Sequence, residues 1–550
     1  MIYIYRNIIL AITIMVILSG CKKYLVEENL GGRTAETYYN TASGFEDLVK
    51  SNYSPLRTTV NYSSLYALGT DIFSSYNTTD INFLNLYNAS LNSALGDVDG
   101  YYKHLYYSIN LANNGLYWST QVQGLNPVTL NARIGELKTL RAYEYFLLTE
   151  TFGAVPLILQ RSTAPNYELT RTPEQDVYNQ IIVDLNDAIA ILPVSASDFG
   201  RVTKGMAQHL LSKVYLTRGY KSYGVSTDFS NAASLAEGII NSGTYALNMD
   251  FASLFDPTIA NFQVNKEVIF SVQYSSTTQS NGAGNSLHQY FLWDTQSITP
   301  LGRSGLYGKP NYLAAPTPFF FGLFDKLRDR RYSATVHNAL VAQVAGNFNG
   351  KAFSVGDTVI YYPDIAFTTA QKAARKYLVV NPSEYRNPVL SISRSYPEFK
   401  KFRELNLAYG DNQGIRDTYV FRLGETYLIA AEAFLKAGNS SKAIQYFNIL
   451  RTRAAKAGIN PLTGSSYSSE MQVTTLSIDD ILDERARELV GEEFRWFELK
   501  RTGRLFPRVL LYNEEAKAAN SSIDSHFLLR PIPQSQIDLN RIPFPQNTGY

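Results

Sequence analysis

Apolar residues recur at helical spacing through much of the first and last thirds of the chain. Ile134, Leu137, Leu140, Tyr143 and Leu147 form one such stripe, with Ala142 as a small close-contact position. They predict a helix over Ala132–Phe152 that stops at Gly153, ahead of Pro156. Upstream, helices are expected over Ala42–Leu56 and Gly100–Tyr117, separated by a polar stretch, Tyr62–Gly100, that reads as loop. Downstream, Thr172-Pro173-Glu174-Gln175 opens a helix running to Leu192, with threonine at the cap and proline in the first turn. Thr203–Tyr220 and Ser230–Asn241 follow. A second series begins with Leu423–Ala437 and Ser440–Ala457, where Gly438 suits a left-handed terminal position and Ser440 the next N-cap. Paired helices with alanine at close contacts and a period of about 34 residues mark tetratricopeptide-like repeats.

The last strong pattern is Ser477–Arg504, read as one long amphipathic helix. Ser477 and Asp480 form a capping pair, and Leu482, Ala486, Leu489, Val490, Phe494 and Phe497 supply the apolar stripe. Its many acids and arginines are expected to be a solvated face. Between the two series, from Tyr245 to about Asp417, the period changes. Val268–Tyr274 and Asp357–Tyr362 read as strands, and the rest as loop, densest in glycine, proline and aromatic residues from Tyr290 to Phe321. The expected fold is therefore mainly α: a tetratricopeptide-like helical-pair scaffold with an irregular, loop-rich half containing a few short strands. One domain is expected over 36–550. Its scaffold covers about 36–60, 130–242 and 420–505, its loop-rich part about 61–129 and 243–419, and a C-terminal strap 506–550.

The N-terminus changes the picture. Arg6 precedes a short apolar run, Ile8–Leu18, too short for a membrane span and suited to a signal peptide over 1–20. Leu18-Ser19-Gly20-Cys21 then places the only cysteine of 550 residues directly after two small residues. This is the pattern of a lipidation site, with Cys21 the acylated residue, 21–35 a tether and the membrane reached through lipid. Losing 1–20 removes Arg6 alone and leaves 49 basic against 48 acidic side chains. So even a balance argues against nucleic acid as a partner, because phosphate binding needs a basic face.

Chemical motifs are scarce. His104, His209, His288, His337 and His526 lie too far apart for a local metal motif. Gly302-Arg303-Ser304-Gly305 lacks the spacing of a nucleophile elbow, and no phosphate-binding loop is present. No catalytic residue, metal or cofactor is assigned. A sugar offers a C–H face to aromatic rings and hydroxyls to Asp, Asn or Arg. Two loop regions suit it. One carries Asp71, Tyr76, Asn77 and Asp80; the other carries Tyr290, Trp293, Asp294 and Tyr307. Trp293, beside an acid in a polar loop, is the leading candidate, the alternative being that it plugs the loop onto the scaffold. Trp118 is a weaker candidate, and Trp496 is expected in the core.

Several segments together resemble the SusD/RagB family of outer-membrane nutrient-binding lipoproteins. They are Gly135–Ala142 through Phe152-Gly153-Ala154-Val155-Pro156, Arg201–Ala207, Asn265–Phe270, Arg422–Ala433, Leu482–Arg485 through Phe494–Arg501, and Pro531-Ile532-Pro533 with the ending Pro545–Tyr550. Thr548 stands where the family more often has proline. The resemblance implies a binding protein rather than an enzyme. It implies a place on the outer membrane facing the exterior, over a SusC-like TonB-dependent transporter, capturing oligosaccharide or polysaccharide for import. A non-glycan nutrient such as peptide is the alternative, and a glycoside hydrolase a remote one. Lys22-Lys23 stand where related surface lipoproteins often carry acids.

Overall fold

The computed structural model describes residues 34–75, 82–311, 313–386, 395–492 and 494–550. Cys21, the signal segment, Tyr76, Asn77 and Asp80 lie outside them.

Nine helices carry the frame: α1 (Gly96–Trp118), α2 (Pro127–Phe152), α3 (Glu174–Ile191), α4 (Lys204–Arg218), α5 (Asp228–Ile240), α6 (Leu423–Lys436), α7 (Ser440–Ala454), α8 (Ile478–Leu489) and α9 (Arg495–Arg501). Local chemistry sets most ends. Asn126 caps α2 through the N–H of Thr129, so the helix starts earlier than its apolar stripe suggests. Gly153, at φ +75°, ends it. Gly438 takes the expected left-handed turn at φ +85°, but the cap of α7 is Asn439 rather than Ser440. The expected helix over Ala42–Leu56 divides into Ala42–Ser51 and Pro55–Asn61.

Consecutive helices pack in order from α1 to α5, and α6 then packs directly on α5. The stack is therefore continuous in space although residues 241–422 leave it and return. α1 belongs to the stack, although it lies wholly within 61–129, the stretch assigned to the loop-rich part. Strand β1 (Val268–Val272) pairs antiparallel with β2 (Thr418–Arg422), with Val268 opposite Arg422 and Val272 opposite Thr418. This pair closes the neck of the excursion. All five residues of β1 are buried, so the alternation in its sequence reflects contact on both faces. Beyond the neck, Phe73–Ser75 pairs with Ala314–Pro316, and Ala339–Val341, Thr358–Tyr361 and Leu378–Val379 form a small sheet.

The expected helix Ser477–Arg504 is two helices, and its charges are solvated only in part: Asp480 and Arg504 are exposed, but the middle of the stretch is not. Gly491 breaks it at φ +76°, where a Cβ would lie 2.5 Å from the ring of Phe402. Ser477 and Asp480 do form the capping box of α8. Yet Glu484, Arg485, Glu488, Arg495, Glu498 and Arg501 are buried, because the neck, α7 and the excursion cover the polar side of these helices as well. Glu488 receives Arg422 at 2.6 Å, Arg331 at 2.9 Å and Arg453. Arg485 and Lys213 both reach Glu425 and Glu498. Burial disfavours the Glu488 carboxylate, but Arg453, Arg422 and Arg331 outweigh it and hold its pKa well below the ordinary carboxylate range. Removing one partner of such a cluster typically costs about 3–5 kcal/mol, since a charge is left buried and unpaired.

Candidate functional site

Four of the candidates read from sequence are interior. Trp293 is 1 % exposed and plugs its loop into the main core. Tyr290 and Tyr307 are also buried; the Tyr307 hydroxyl accepts from the N–H of Val341 at 2.6 Å and donates to its carbonyl at 3.2 Å. Asp71 is 0 % exposed and receives Arg495 in bidentate fashion, at 2.9 and 2.7 Å, and Arg508 at 2.7 Å. Burial alone would raise its pKa; the two guanidinium groups outweigh that and lower it. These side chains build the loops, and Tyr290 also lines a narrow cleft of about 50 Å³ beside Phe291 and Phe494. Trp118 is buried too, and Trp496 sits in the core as expected.

Asp294 is different. It is half-buried at the surface directly above Trp293 in sequence, and it organises a short polar chain. Gln296 donates its backbone N–H to Asp294 Oδ1 at 3.1 Å and its side-chain amide to Oδ2 at 3.2 Å. Gln296 Oε1 accepts the Tyr409 hydroxyl at 3.0 Å, and the Arg303 guanidinium lies 5.9 Å from the centre of the Tyr409 ring. Burial and the neighbouring Asp294 charge raise the Tyr409 pKa, with Arg303 opposing. The result is a half-buried aromatic ring flanked by an acid, an amide and a guanidinium. Its two loops meet closely: a Cβ on Gly305 would fall 2.2 Å from the carbonyl oxygen of Leu407.

Sequence reading missed Gln296, Arg303 and Tyr409. Tyr409-Gly410 in the polar run Glu404–Gly414 was the available signal, a lone aromatic in a turn-rich segment. Below the patch, Glu398 is fully buried, and burial pushes its carboxyl well above the ordinary range, opposed only by the Trp293 backbone.

A concavity of about 330 Å³ lies between α1 and the C-terminal strap and is lined by Tyr102, Tyr106, Asn110 and Asn540 among others. Most of its polar atoms hold the chain together. Tyr106 donates to Pro156 O, Asn113 to Ile158 O, and Asn540 to Leu169 O and Ile542 O. The loop patch is therefore the better candidate. Among the described residues, no three His, Cys, Asp or Glu side chains gather as a metal-ligating group, and no helix is long and apolar enough to cross a membrane.

A helical-pair frame that presents polar and aromatic groups on loops is suited to recognition. The chain belongs to the SusD family, whose model matches residues 266–550; a second model, described as starch-binding associating with outer membrane, matches 37–216. It is similar over 98% of its length to SusD-like protein P2 of Formosa agariphila, at 26% identity and covering 98% of that protein. It is 24% identical to starch-binding protein SusD of Bacteroides thetaiotaomicron, over 82% of this chain and 78% of that one. Among solved structures, a laminarin-binding SusD-like protein superposes with a TM-score of 0.68 at 22% identity, covering 93% of this chain and all of the other.

Proposed function

We propose that this protein binds oligosaccharide or polysaccharide at the loop patch and delivers it to a SusC-like TonB-dependent outer-membrane transporter, without chemistry of its own. Lipid on Cys21 would tether it to the outer membrane, facing outward. The observation that carries the reading is the half-buried Tyr409 ring beside Asp294, Gln296 and Arg303. An aromatic face suits the C–H side of a pyranose, and its polar neighbours match sugar hydroxyls. Family membership and relatives named for starch and laminarin binding support the same class of ligand. The test is affinity electrophoresis and calorimetry across a polysaccharide panel, with Tyr409→Ala beside the native protein. Binding to at least one glycan, weakened by the substitution, is expected. No binding to any glycan would sink the carbohydrate assignment, and failure to co-purify with a barrel transporter in mild detergent would sink the delivery role.

A further inference from the structure

Away from the patch, a cleft of about 300 Å³ opens between the turn at 400–403 and the segment 250–257. Arg330, Lys400 and Arg403 line it, with Phe255, Asp250 and Asp256. The turn is fixed by the backbone: the N–H groups of Lys400 and Lys401 both donate to Thr335 O, at 2.8 and 3.2 Å, and Arg403 N–H donates to Lys400 O at 3.1 Å. Arg330 is anchored through Nε to Ala455 O at 2.7 Å.

Compensation here is slight: burial first, then Arg403, lower the Lys400 pKa, and the Asp256 charge alone opposes them. Among the described residues, neither the Lys400 ammonium nor the Arg403 guanidinium has an ion pair or hydrogen bond, whereas the buried Arg331, Arg422, Arg485 and Arg501 each meet a carboxylate. The two acids are engaged in turns of their own. Asp256 Oδ1 accepts from Thr258 N–H at 2.9 Å and from its hydroxyl at 2.7 Å, and Asp250 Oδ1 accepts from Ala252 N–H at 3.2 Å. Behind Phe255 lies a further cation, Arg416, whose guanidinium donates to the carbonyls of Phe255, Lys401 and Arg403 and to no carboxylate. The field reaches its neighbours. Burial first, then Lys400 and Arg403, push His337 down to about 4.

We propose that this cleft is an anion-binding site that takes the carboxylate or sulfate ester of an acidic saccharide. Guanidinium groups match the planar or tetrahedral oxygens of such anions in paired hydrogen bonds, and a concave, partly desolvated site strengthens them. The volume suits one sugar residue, with Phe255 as the apolar wall. The saccharide part of this assignment rests on the carbohydrate reading above; the anion part does not.

The experiment therefore has two arms on the full chain and on a Lys400→Gln/Arg403→Gln variant. In the first, thermal melting is followed with added sodium sulfate against sodium chloride at equal ionic strength. The native protein should gain several degrees more in sulfate than the variant does. Equal gains would overturn the site, as would a gain that needs molar salt, which marks an adventitious ion only. In the second, calorimetry compares an oligogalacturonate, a sulfated galactan oligosaccharide and a neutral glucan. Tighter binding of an acidic probe, lost at least tenfold in the variant with neutral-glucan binding unchanged, is expected. If the sulfate arm succeeds while no saccharide binds, the carbohydrate reading fails and the anion site stands. If neutral and acidic probes bind alike in both proteins, the acidic-saccharide assignment is overturned.

Discussion

Arg422 Nη1 meets Glu488 Oε1 at 2.6 Å, joining the last residue of the neck strand β2 to helix α8 across 66 positions of sequence. The same guanidinium reaches Glu267, which immediately precedes the other neck strand, at 2.7 Å. The two strands of the neck are thus clamped to the frame by ions that no water reaches. Arg422→Met should lower stability by about 3–5 kcal/mol, because Glu488, Glu267 and Glu492 each lose a partner while buried. Denaturant melts of the purified variant measure this, and a loss under about 1 kcal/mol would show that Arg331 and Arg453 alone suffice.

Trp293 and Tyr409 should separate cleanly. Trp293→Ala empties a core position and is expected to cost about 3–5 kcal/mol of stability. Tyr409→Ala should leave the melting midpoint nearly unchanged and weaken glycan binding by about 1 kcal/mol, roughly fivefold in Kd. Should Tyr409→Ala unfold the protein while Trp293→Ala abolishes binding in a stable one, the two roles are reversed.

The meeting of the two loops gives a second handle on the patch. In Gly305→Ala the new methyl would sit against the Leu407 carbonyl, so the loops must part. Glycan affinity should fall with little change in melting, read by calorimetry and thermal scans together. Unchanged affinity would mean the ligand contacts only one loop.

Glu144 makes stability depend on pH in the neutral range. Burial pushes its carboxyl up to about 8, with only a Thr59 hydrogen bond opposing. Between its ordinary value of 4.5 and about 8, the folded state keeps a proton that the unfolded chain releases. This group therefore lowers stability as pH rises across that window, by on the order of 5 kcal/mol, and adds no further loss above it. Glu144→Gln should flatten the profile and gain most near pH 9. A variant that parallels the native profile from pH 5 to 9 would refute the shift.

Asp71 acts with the opposite sign. Its pKa is lowered against burial by Arg495 and Arg508, so its contribution is complete above an unfolded value of about 4 and is lost as pH falls further. Asp71→Asn should cost about 3–5 kcal/mol at pH 7 and less at pH 3. Equal penalties at both pH values, measured by urea unfolding, would argue against a charge-based role.

The frame was legible because its signals are local. The stripe of Ile134, Leu137 and Leu140, the break at Gly153 and the box at Ser477 each act within one or two turns. The burial of α8's charges was not, since Glu488 finds Arg331, Arg422 and Arg453 on three other segments, and no periodicity announces partners so far apart. The site was half legible for the same reason. Asp294 stood out beside a tryptophan, but whether Trp293 faced ligand or core depended on what the fold laid over it. Tyr409 sits on another loop, brought alongside only by the approach of Gly305 to Leu407.

The β1–β2 neck also bears on how such a chain can diversify. Because α6 packs directly on α5, changes within residues 241–422 need to respect the two paired ends and the few residues, Arg331 and Lys401 among them, that pair with the buried acids of α8 and the turn after it. The loops that carry Tyr409 and Arg403 can be rewritten between those fixed points, altering what is held there while the stack keeps its own packing.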